Sequence, residues 1–382
     1  MIARIYIPRN LRRLNREETV TLSDVSSRIG AKMKILTLGA GAIGTYIGGS
    51  LALAGSQVVF LERGAKKVDE LRARGLRLDL TLDVRRKTKD AFHLDSSTVV
   101  CVSAMEDALH YGPFDLVLFA LKSYDVSNAL ETLKPYADKL PPILCLSNGV
   151  SNEGAIAEVV GQDKVIYGTV TTAVGKRGAG DVILERLRGV GVAKKHSLAM
   201  DIYALFEQAL LNPRLFDDAA AMKWSKLLTN LIANPSSAIL DMTVAEIFAN
   251  KKLYKMEVDM LRECLMIMGA QGIEVVDLPG VPVRALAFAA RLPLWLSKPF
   301  LSRAAGAGRG NKMPSFHIDL RSGRGKSEVE YLHGEVVRAG EKLHKLTPVN
   351  KALTETLMAL TRGEIPLDEF AEQPEKLLKT FS

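Results

Sequence analysis

The chain has few of the residues that build cross-links and metal sites. Only three cysteines, Cys101, Cys145 and Cys264, occur among 382 residues, and none forms a C-x-x-C pair, so neither a disulfide framework nor a zinc site is predicted. The six histidines form no H-E-x-x-H or comparable cluster, and we expect no metal. Cys101 and Cys145 lie in apolar runs and are predicted to be buried. A reducing, cytoplasmic compartment fits this usage.

Long apolar runs are also missing. Stretches such as Ala285 to Leu296 are interrupted by Arg291 or by prolines, well short of the roughly 20 apolar residues that a membrane span needs. We therefore expect no membrane partner. The N-terminus lacks the apolar core of a secretory signal. Its arginines are compatible with an organellar transit peptide, although its three acidic residues argue against one.

The basic excess is confined to two segments. The net charge is +8, but residues 1–32 hold seven basic and three acidic side chains, and residues 291–312 hold five basic and none acidic. The rest of the chain is close to neutral, which disfavours the basic stripe of a nucleic-acid-binding protein. Residues 1–32 show no sustained apolar period and are predicted to be a mobile N-terminal extension.

From Met33 onward, apolar strands alternate with helical segments. Such alternation predicts an α/β fold with a parallel, doubly wound sheet, a Rossmann-type domain that we place over residues 33–216. The first predicted strands are 34–38, 57–61, 115–121 and 142–146. Two further β-rich runs, 164–170 and 181–187, are expected to extend or close the same sheet.

The pattern changes at about Asp217, where segments with a 3.6-residue apolar period begin to dominate. They predict an all-helical C-terminal domain over residues 217–382. The helical segments are 220–240, 244–268, 328–344 and 350–361. Residues 304–311, rich in Gly, Ala and Arg, are predicted to form an exposed loop.

A glycine-rich turn joins the first predicted strand to the first helix. In a G-x-G-x-x-G turn at this place, the first glycine makes the tight turn, the second lets a pyrophosphate approach the backbone, and the third permits close helix packing. The helix amides then face the anion. A purely structural turn is the alternative. The residues are Gly39, Ala40, Gly41, Ala42, Ile43 and Gly44.

The end of the second strand bears on the choice of cofactor. An acidic residue there favours the ribose hydroxyls of NAD, whereas an arginine accommodates the 2′-phosphate of NADP. Both occur here, as Glu62 and Arg63, but Lys66 and Lys67 follow and make the turn basic, which favours NADP. Lys122 ends the 115–121 strand at the edge where such sheets bind ligands, although an ordinary surface lysine fits the pattern equally well.

Lys226, Asn230 and Asn234 recur every four residues. A continuous helix would align them on one face about 6 Å apart, with one ammonium and two amides together. Trp224 and Leu227 lie on the opposite arc, so an ordinary amphipathic helix explains the same spacing.

Together, the separated blocks resemble the ketopantoate reductase (2-dehydropantoate 2-reductase) family over roughly residues 33–360. The blocks are Gly39–Gly44, Arg63, Leu121-Lys122, Ser147-Asn148-Gly149, Trp224–Leu227 with Asn230 and Asn234-Pro235, Pro314-Ser315 leading to Asp319, and Glu328 to Gly334.

The resemblance implies that NADPH reduces the C2 ketone of ketopantoate in a cleft between the two domains. It makes Lys226 the general acid that protonates the alkoxide, with Glu328 positioning and tuning it. The remaining implied roles are substrate orientation for Asn230, Asn234 and Ser315, proximity to nicotinamide and substrate for Asn148, and 2′-phosphate binding for Arg63 and Lys122.

Local explanations remain open for several of these residues. Glu328 follows Ser327 in a pattern typical of a capping box, and Ser315 could cap the following turn. Asn148-Gly149 is an ordinary turn dipeptide. Beyond Asn234-Pro235 the family commonly offers another polar substrate contact, where this chain has Asp241 and no asparagine.

The sequence also leaves the identity of the substrate open. Residues 278–312 enlarge the region before Ser315 and could reshape the pocket mouth, so another branched 2-oxoacid is an alternative to ketopantoate. Reduction of a different oxo or imine substrate on the same scaffold, and a non-catalytic NADP-binding regulator, are the competing functions. The expected partner is a small 2-oxoacid, and a homodimer is one of the oligomeric states that the sequence leaves open.

Overall fold

A computed structural model of the chain describes residues 32–86, 91–306 and 313–381, with side chains except for those of 303–306. The expected N-terminal extension, apart from Lys32, lies outside the described residues. The strands are β1 (Lys34–Leu38), β2 (Gln57–Leu61), β3 (Leu76–Asp79), β4 (Phe92–Leu94), β5 (Val99–Val102), β6 (Leu116–Phe119), β7 (Ile143–Cys145), β8 (Val165–Val170), β9 (Ala173–Gly178), β10 (Asp181–Arg186), β11 (Val190–Ala193) and β12 (Pro213–Phe216).

Helices accompany the strands up to Phe216, and the longest helices follow it. The helices up to that point are α1 (Ala42–Leu53), α2 (Ala65–Arg74), α3 (Met105–Leu109), α4 (Val126–Leu133), α5 (Asn152–Val160) and α6 (Ala199–Gln208). Those after it are α7 (Ala219–Leu231), α8 (Asn234–Leu240), α9 (Val244–Ala249), α10 (Lys251–Ala270), α11 (Val283–Arg291), α12 (Leu294–Gly306), α13 (Ser315–Arg321), α14 (Val329–Lys342), α15 (Pro348–Arg362) and α16 (Pro374–Leu378). Within the described ranges, no helix is both long and apolar enough to cross a membrane.

The main sheet has eight strands in the order β5-β2-β1-β6-β7-β8-β11-β12. Neighbouring strands are parallel except for β8 and β11, which pair antiparallel. Because helices cover both faces, central strands such as β6 are buried along their whole length. The predicted Rossmann-type sheet followed by a helical domain is confirmed, and the strand order reverses between β1 and β6, where such sheets bind ligands.

A second sheet of four strands, β4-β3-β10-β9, was not predicted. The run 181–187 was expected to belong to the main sheet, but β10 pairs instead with β3 and β9. This expectation was wrong because β3 lies more than 100 residues earlier in the sequence, and no local pattern shows which strand a β-rich run will join. The second sheet faces the same end of the molecule as the carboxyl ends of the main strands.

Two predicted helical segments, 220–240 and 244–268, are each divided into two helices. Between α7 and α8, Ala233 adopts a left-handed conformation with φ of 51°, and Pro235 in the first turn of α8 has no amide hydrogen to continue the earlier helix. Between α9 and α10, the extended Asn250 caps the second helix. Residues 304–306 of the predicted loop are helical, and 307–311 lie outside the described residues.

A buried ion pair connects the sheet to the helical domain. Lys223 of α7 is 3% exposed and Glu153 of α5 is fully buried, and their Nζ and Oε1 atoms are 2.6 Å apart. Lys223 also donates to the carbonyl oxygens of Ser147 and Gly168, at 2.9 and 3.3 Å. Burial by itself lowers the pKa of Lys223, but Glu153 outweighs it, so the net pKa is raised and the lysine stays charged.

We predict that Lys223→Met lowers the free energy of unfolding by about 3–5 kcal/mol, because it leaves the Glu153 carboxylate buried without a cation. The double substitution with Glu153→Gln should recover a large part of this loss, because both charges are then gone. Urea unfolding measures both, with Lys251→Met as the exposed-lysine control. Equal stability of Lys223→Met and the control would contradict a stabilising role for the pair.

Candidate functional site

The carboxyl ends of the main strands open onto a cleft of about 710 Å³. The loop after β1, Arg63 after β2 and Lys122 after β6 lie on one wall. The second sheet contributes Lys176, and the start of α13 contributes Ser315. Both domains therefore line one cavity at the point where the strand order reverses.

The glycine loop has the geometry that an anion needs. Gly39 has φ of 90°, and a Cβ on Gly44 would lie 2.0 Å from the Gly39 carbonyl oxygen, so both positions require glycine. A Cβ on Gly41 would meet nothing within 4 Å, and Gly41 lines the cleft. The open backbone at the start of α1 fits the pyrophosphate of a dinucleotide.

Glu62 and Arg63 have different surroundings at the end of β2. The Glu62 carboxylate accepts a hydrogen bond from the Ala40 amide at 3.0 Å and another from Lys67. Arg63 is about half exposed and lies 3.4 Å from Asp125. The acidic residue thus supports the glycine loop itself, while the arginine faces the cleft.

More positive charge surrounds this end of the cleft than the sequence indicated. Lys176 of β9 and Arg324, which follows α13, line the same cavity as Lys67. Burial lowers the pKa of Lys176, and the positive charge of Lys67 lowers it further. These cations come from three distant parts of the chain, so no local motif could have grouped them. An anionic group bound here would relieve their mutual repulsion.

Lys122, which lines the same cleft, connects the two domains. Its Nζ atom lies 2.7 Å from Glu328 and 3.0 Å from Asp319, both in the helical domain. Burial by itself would lower the pKa of Lys122, but the two carboxylates raise it above its ordinary value. Glu328, which is 1% exposed, also accepts hydrogen bonds from the Ser123 amide and hydroxyl at 3.2 Å.

These contacts differ from the ones that the resemblance implied. Glu328 was expected beside Lys226 and Lys122 beside a phosphate, whereas the structure joins Glu328 to Lys122. The capping-box alternative is wrong, because α14 begins at Val329 with Glu328 itself as its N-cap. Asp319 and Ser123 had no assigned role in the sequence analysis, although Asp319 was part of the block that begins with Pro314-Ser315.

Lys226 and Asn230 meet Asn148 across the domain boundary. The Lys226 ammonium donates to Asn230 Oδ1 at 2.9 Å, and Asn230 Nδ2 donates to Asn148 Oδ1 at 3.2 Å. Asn148 follows β7, and its carbonyl oxygen accepts from Ser123 at 2.8 Å. The chain of contacts connects the predicted general acid to the carboxyl edge of the sheet.

The prediction of one continuous helix for Lys226, Asn230 and Asn234 was wrong, because Asn234 lies outside the helix that carries the other two. Asn234 begins α8 after the left-handed turn at Ala233. Its side chain nevertheless donates to the Asn230 carbonyl at 3.1 Å and lies 3.4 Å from the Ser315 hydroxyl. The Phe316 amide donates to Asn234 Oδ1 at 3.0 Å. The break therefore turns Asn234 towards Ser315 and the cleft wall.

Metal ligands and reactive thiols contribute nothing to this arrangement. The part of the chain that the structure describes holds no group of three His, Cys, Asp or Glu residues that could bind a metal ion. Cys101 and Cys145 are buried, as predicted, and burial raises the pKa of Cys101 to about 11. What the site offers is several ammonium groups, amides and hydroxyls, and a glycine loop whose open backbone suits an anion.

Comparison with known proteins gives matches along most of the chain. Residues 35–194 match the family model described as ketopantoate reductase PanE/ApbA, and residues 218–361 match the model of the C-terminal part of the same family. A 2-dehydropantoate 2-reductase of Streptococcus pyogenes serotype M3 (strain ATCC BAA-595 / MGAS315) is 23% identical over 334 residues, which cover 86% of this chain and 97% of that protein.

Two solved structures are similar in fold. A PanE/ApbA family ketopantoate reductase from Ralstonia eutropha JMP134 has a TM-score of 0.72 and 26% identity, covering 87% of this chain and 99% of its own. D-mandelate dehydrogenase with NADH and anilino(oxo)acetate has a TM-score of 0.70 and 23% identity, with coverage of 87% and 99%. At that identity the second likeness concerns the fold alone.

We predict that two alanine substitutions in the glycine loop differ in their effect on stability. Gly44→Ala should lower the free energy of unfolding by about 1–3 kcal/mol, because its Cβ collides with the Gly39 carbonyl and the helix must move. Gly41→Ala is the matched control and should leave the stability unchanged, since its Cβ points into open space. Thermal unfolding measures both, and equal melting temperatures would contradict the loop geometry.

Proposed function

The chain belongs to the ketopantoate reductase family, and on that premise we propose that it is an oxidoreductase that uses a nicotinamide cofactor, NADPH. Its substrate in this proposal is 2-dehydropantoate or a similar branched 2-oxoacid, reduced at the C2 ketone to the 2-hydroxyacid. The name shared by the curated relatives supports the substrate class. The observation that carries the proposal is the contact chain from Lys226 through Asn230 to Asn148 beside the glycine loop's cleft.

A bound nicotinamide supplies the hydride for this reduction. The negative charge that then develops on the substrate oxygen calls for a proton donor, and in this proposal Lys226 Nζ gives its proton to that oxygen. Asn230 Oδ1 accepts from the same ammonium and fixes its direction. Asn148 holds Asn230 from the other domain, so the donor keeps its place relative to the sheet.

Substrate orientation falls to Asn234 and Ser315 in this proposal. Their side chains meet at the cleft wall, and a hydroxyl and an amide suit the carboxylate and hydroxyl groups of a small oxoacid. Glu328 acts through Lys122 as a positioning residue. Asp241, which stands where relatives commonly have another polar contact, is already engaged by His317 and Arg321 at 2.6 and 2.7 Å. That difference favours screening several branched 2-oxoacids besides 2-dehydropantoate.

We predict that Lys226→Ala lowers kcat by about 10²–10⁴, because the proton donor is lost. Binding of NADPH should be unchanged, since Lys226 is not expected to touch the cofactor phosphates. Steady-state turnover and fluorescence titration of NADPH measure the two, with Lys251→Ala as control. Normal turnover of Lys226→Ala would disprove the mechanism. Tight NADPH binding by the native protein without turnover of any tested oxoacid or imine would instead indicate a regulator.

Arg63 provides the test for NADP over NAD. We predict that the native protein binds NADPH more tightly than NADH, and that Arg63→Ala raises the Kd for NADPH about tenfold or more through loss of a charge-assisted contact. The Kd for NADH should not change. Arg74→Ala, which changes an exposed arginine in the last turn of the following helix α2, is the control. Equal affinities for the two cofactors would leave a dinucleotide site with no preference for NADP.

A further inference from the structure

Two consecutive helices, α11 and α12, lie before Ser315 at the surface of the helical domain. Ser297 and Leu301 of α12 are 0% and 2% exposed, and α12 packs against α11, α9 and α10. Because residues four apart lie on the same side of a helix, these two define the face that points into the protein. The other side of α12 is turned towards solvent.

That outer side is apolar, the reverse of an ordinary surface helix. Trp295 is 76% exposed, Phe300 63% and Leu296 38%, and Pro299 is exposed between them. At 3.6 residues per turn the four side chains span an arc of about 140° opposite Ser297 and Leu301. Phe288 on α11 is also 66% exposed. We call the four residues of α12 the outer apolar face.

Charge of one sign accompanies the outer apolar face. The sequence between Asp277 and Asp319 contains six basic residues and no acidic one. Arg291 is exposed at the end of α11, and the Lys298 ammonium lies at the edge of the face, 5.7 Å from the centre of the Tyr254 ring. Exposed aromatic side chains with lysine and arginine nearby in the sequence are typical of helices that lie at the surface of anionic membranes.

The positive charge near the outer apolar face argues against two other binding partners, a second copy of the chain and residues 1–32. In a twofold dimer the face would meet its own copy, and each basic segment would oppose another. Residues 1–32 have an excess of four positive charges and would also be repelled. A surface of anionic lipids complements the lysines and arginines and takes the indole and phenyl rings into the boundary between headgroups and acyl chains.

We propose that the outer apolar face binds the surface of a membrane containing anionic lipids. The expectation that no membrane partner exists came from the lack of a spanning segment, which does not bear on binding at the surface. This proposal goes beyond the proposed reductase activity and does not depend on it.

The test uses the full chain and vesicles of phosphatidylcholine with and without phosphatidylglycerol. Trp295 is one of two tryptophans, and the other, Trp224, is 7% exposed, so a shift of the emission to shorter wavelength reports on Trp295. We expect cosedimentation and this shift with anionic vesicles only, and weaker binding at higher salt. Trp295→Ser with Phe300→Ser should weaken the partitioning at least about tenfold and leave turnover unchanged. Leu346→Ser, at an 86% exposed apolar position elsewhere, is the control.

Failure to sediment with anionic vesicles would overturn the proposal, as would binding that the double substitution does not weaken. Analytical ultracentrifugation without lipid tests the alternative that a second copy of the chain covers the outer apolar face. If the double substitution converts a dimer to a monomer while the native protein ignores vesicles, the outer apolar face is a contact between copies of the chain, and the lipid assignment is wrong.

Discussion

The buried pair of Lys223 and Glu153 sets the position of the helical domain on the sheet. A charged lysine inside the protein is tolerated only where a carboxylate and further acceptors compensate the loss of water. Glu153 and the carbonyls of Ser147 and Gly168 provide them at one point of the sheet. Because Lys226 follows one turn later on the same helix, that requirement also decides where its ammonium lies relative to Asn148.

The charges in the cleft divide into two groups with different consequences. Lys122 is compensated by Glu328 and Asp319 across the domain boundary, so its charge serves mainly to hold the two domains together. Lys176 and Arg324, near the end of β2, come from elements far apart and face the cavity with Lys67. An anionic ligand therefore has an electrostatic reason to bind with its charged end beside the glycine loop and its other end towards Lys226.

Sequence patterns predicted those parts of the protein whose structure depends on residues close together in the sequence. Parallel strands buried on both faces produce continuous apolar runs, and the glycine turn has steric requirements within six residues, so the Rossmann-type domain and its loop were recognisable. The resemblance to ketopantoate reductases, which used blocks spread along the chain, is confirmed by the family matches. Partners such as Lys223 with Glu153 and Lys122 with Asp319 are separated by tens to hundreds of residues, and no periodicity can pair them.

The break at Ala233 shows that residues can be in contact without sharing the helix face that their spacing predicted. A four-residue spacing predicted one helix face for Lys226, Asn230 and Asn234, and the proline at 235 was the available sign that the helix stops. The amide of Ala233 donates to the buried Glu257 carboxylate at 2.8 Å, which stabilises the left-handed turn. Asn234 reaches Ser315 because the helix ends there.

The four-stranded sheet also constrains the order in which the protein can be completed during synthesis. Strands β3 and β4 leave the ribosome long before β9 and β10, since the chain must first run through most of the main sheet. A lone pair of strands is at best marginally stable in water. One wall of the cleft therefore cannot form until Arg186 has been added, and the dinucleotide site is finished later than the glycine loop that begins it.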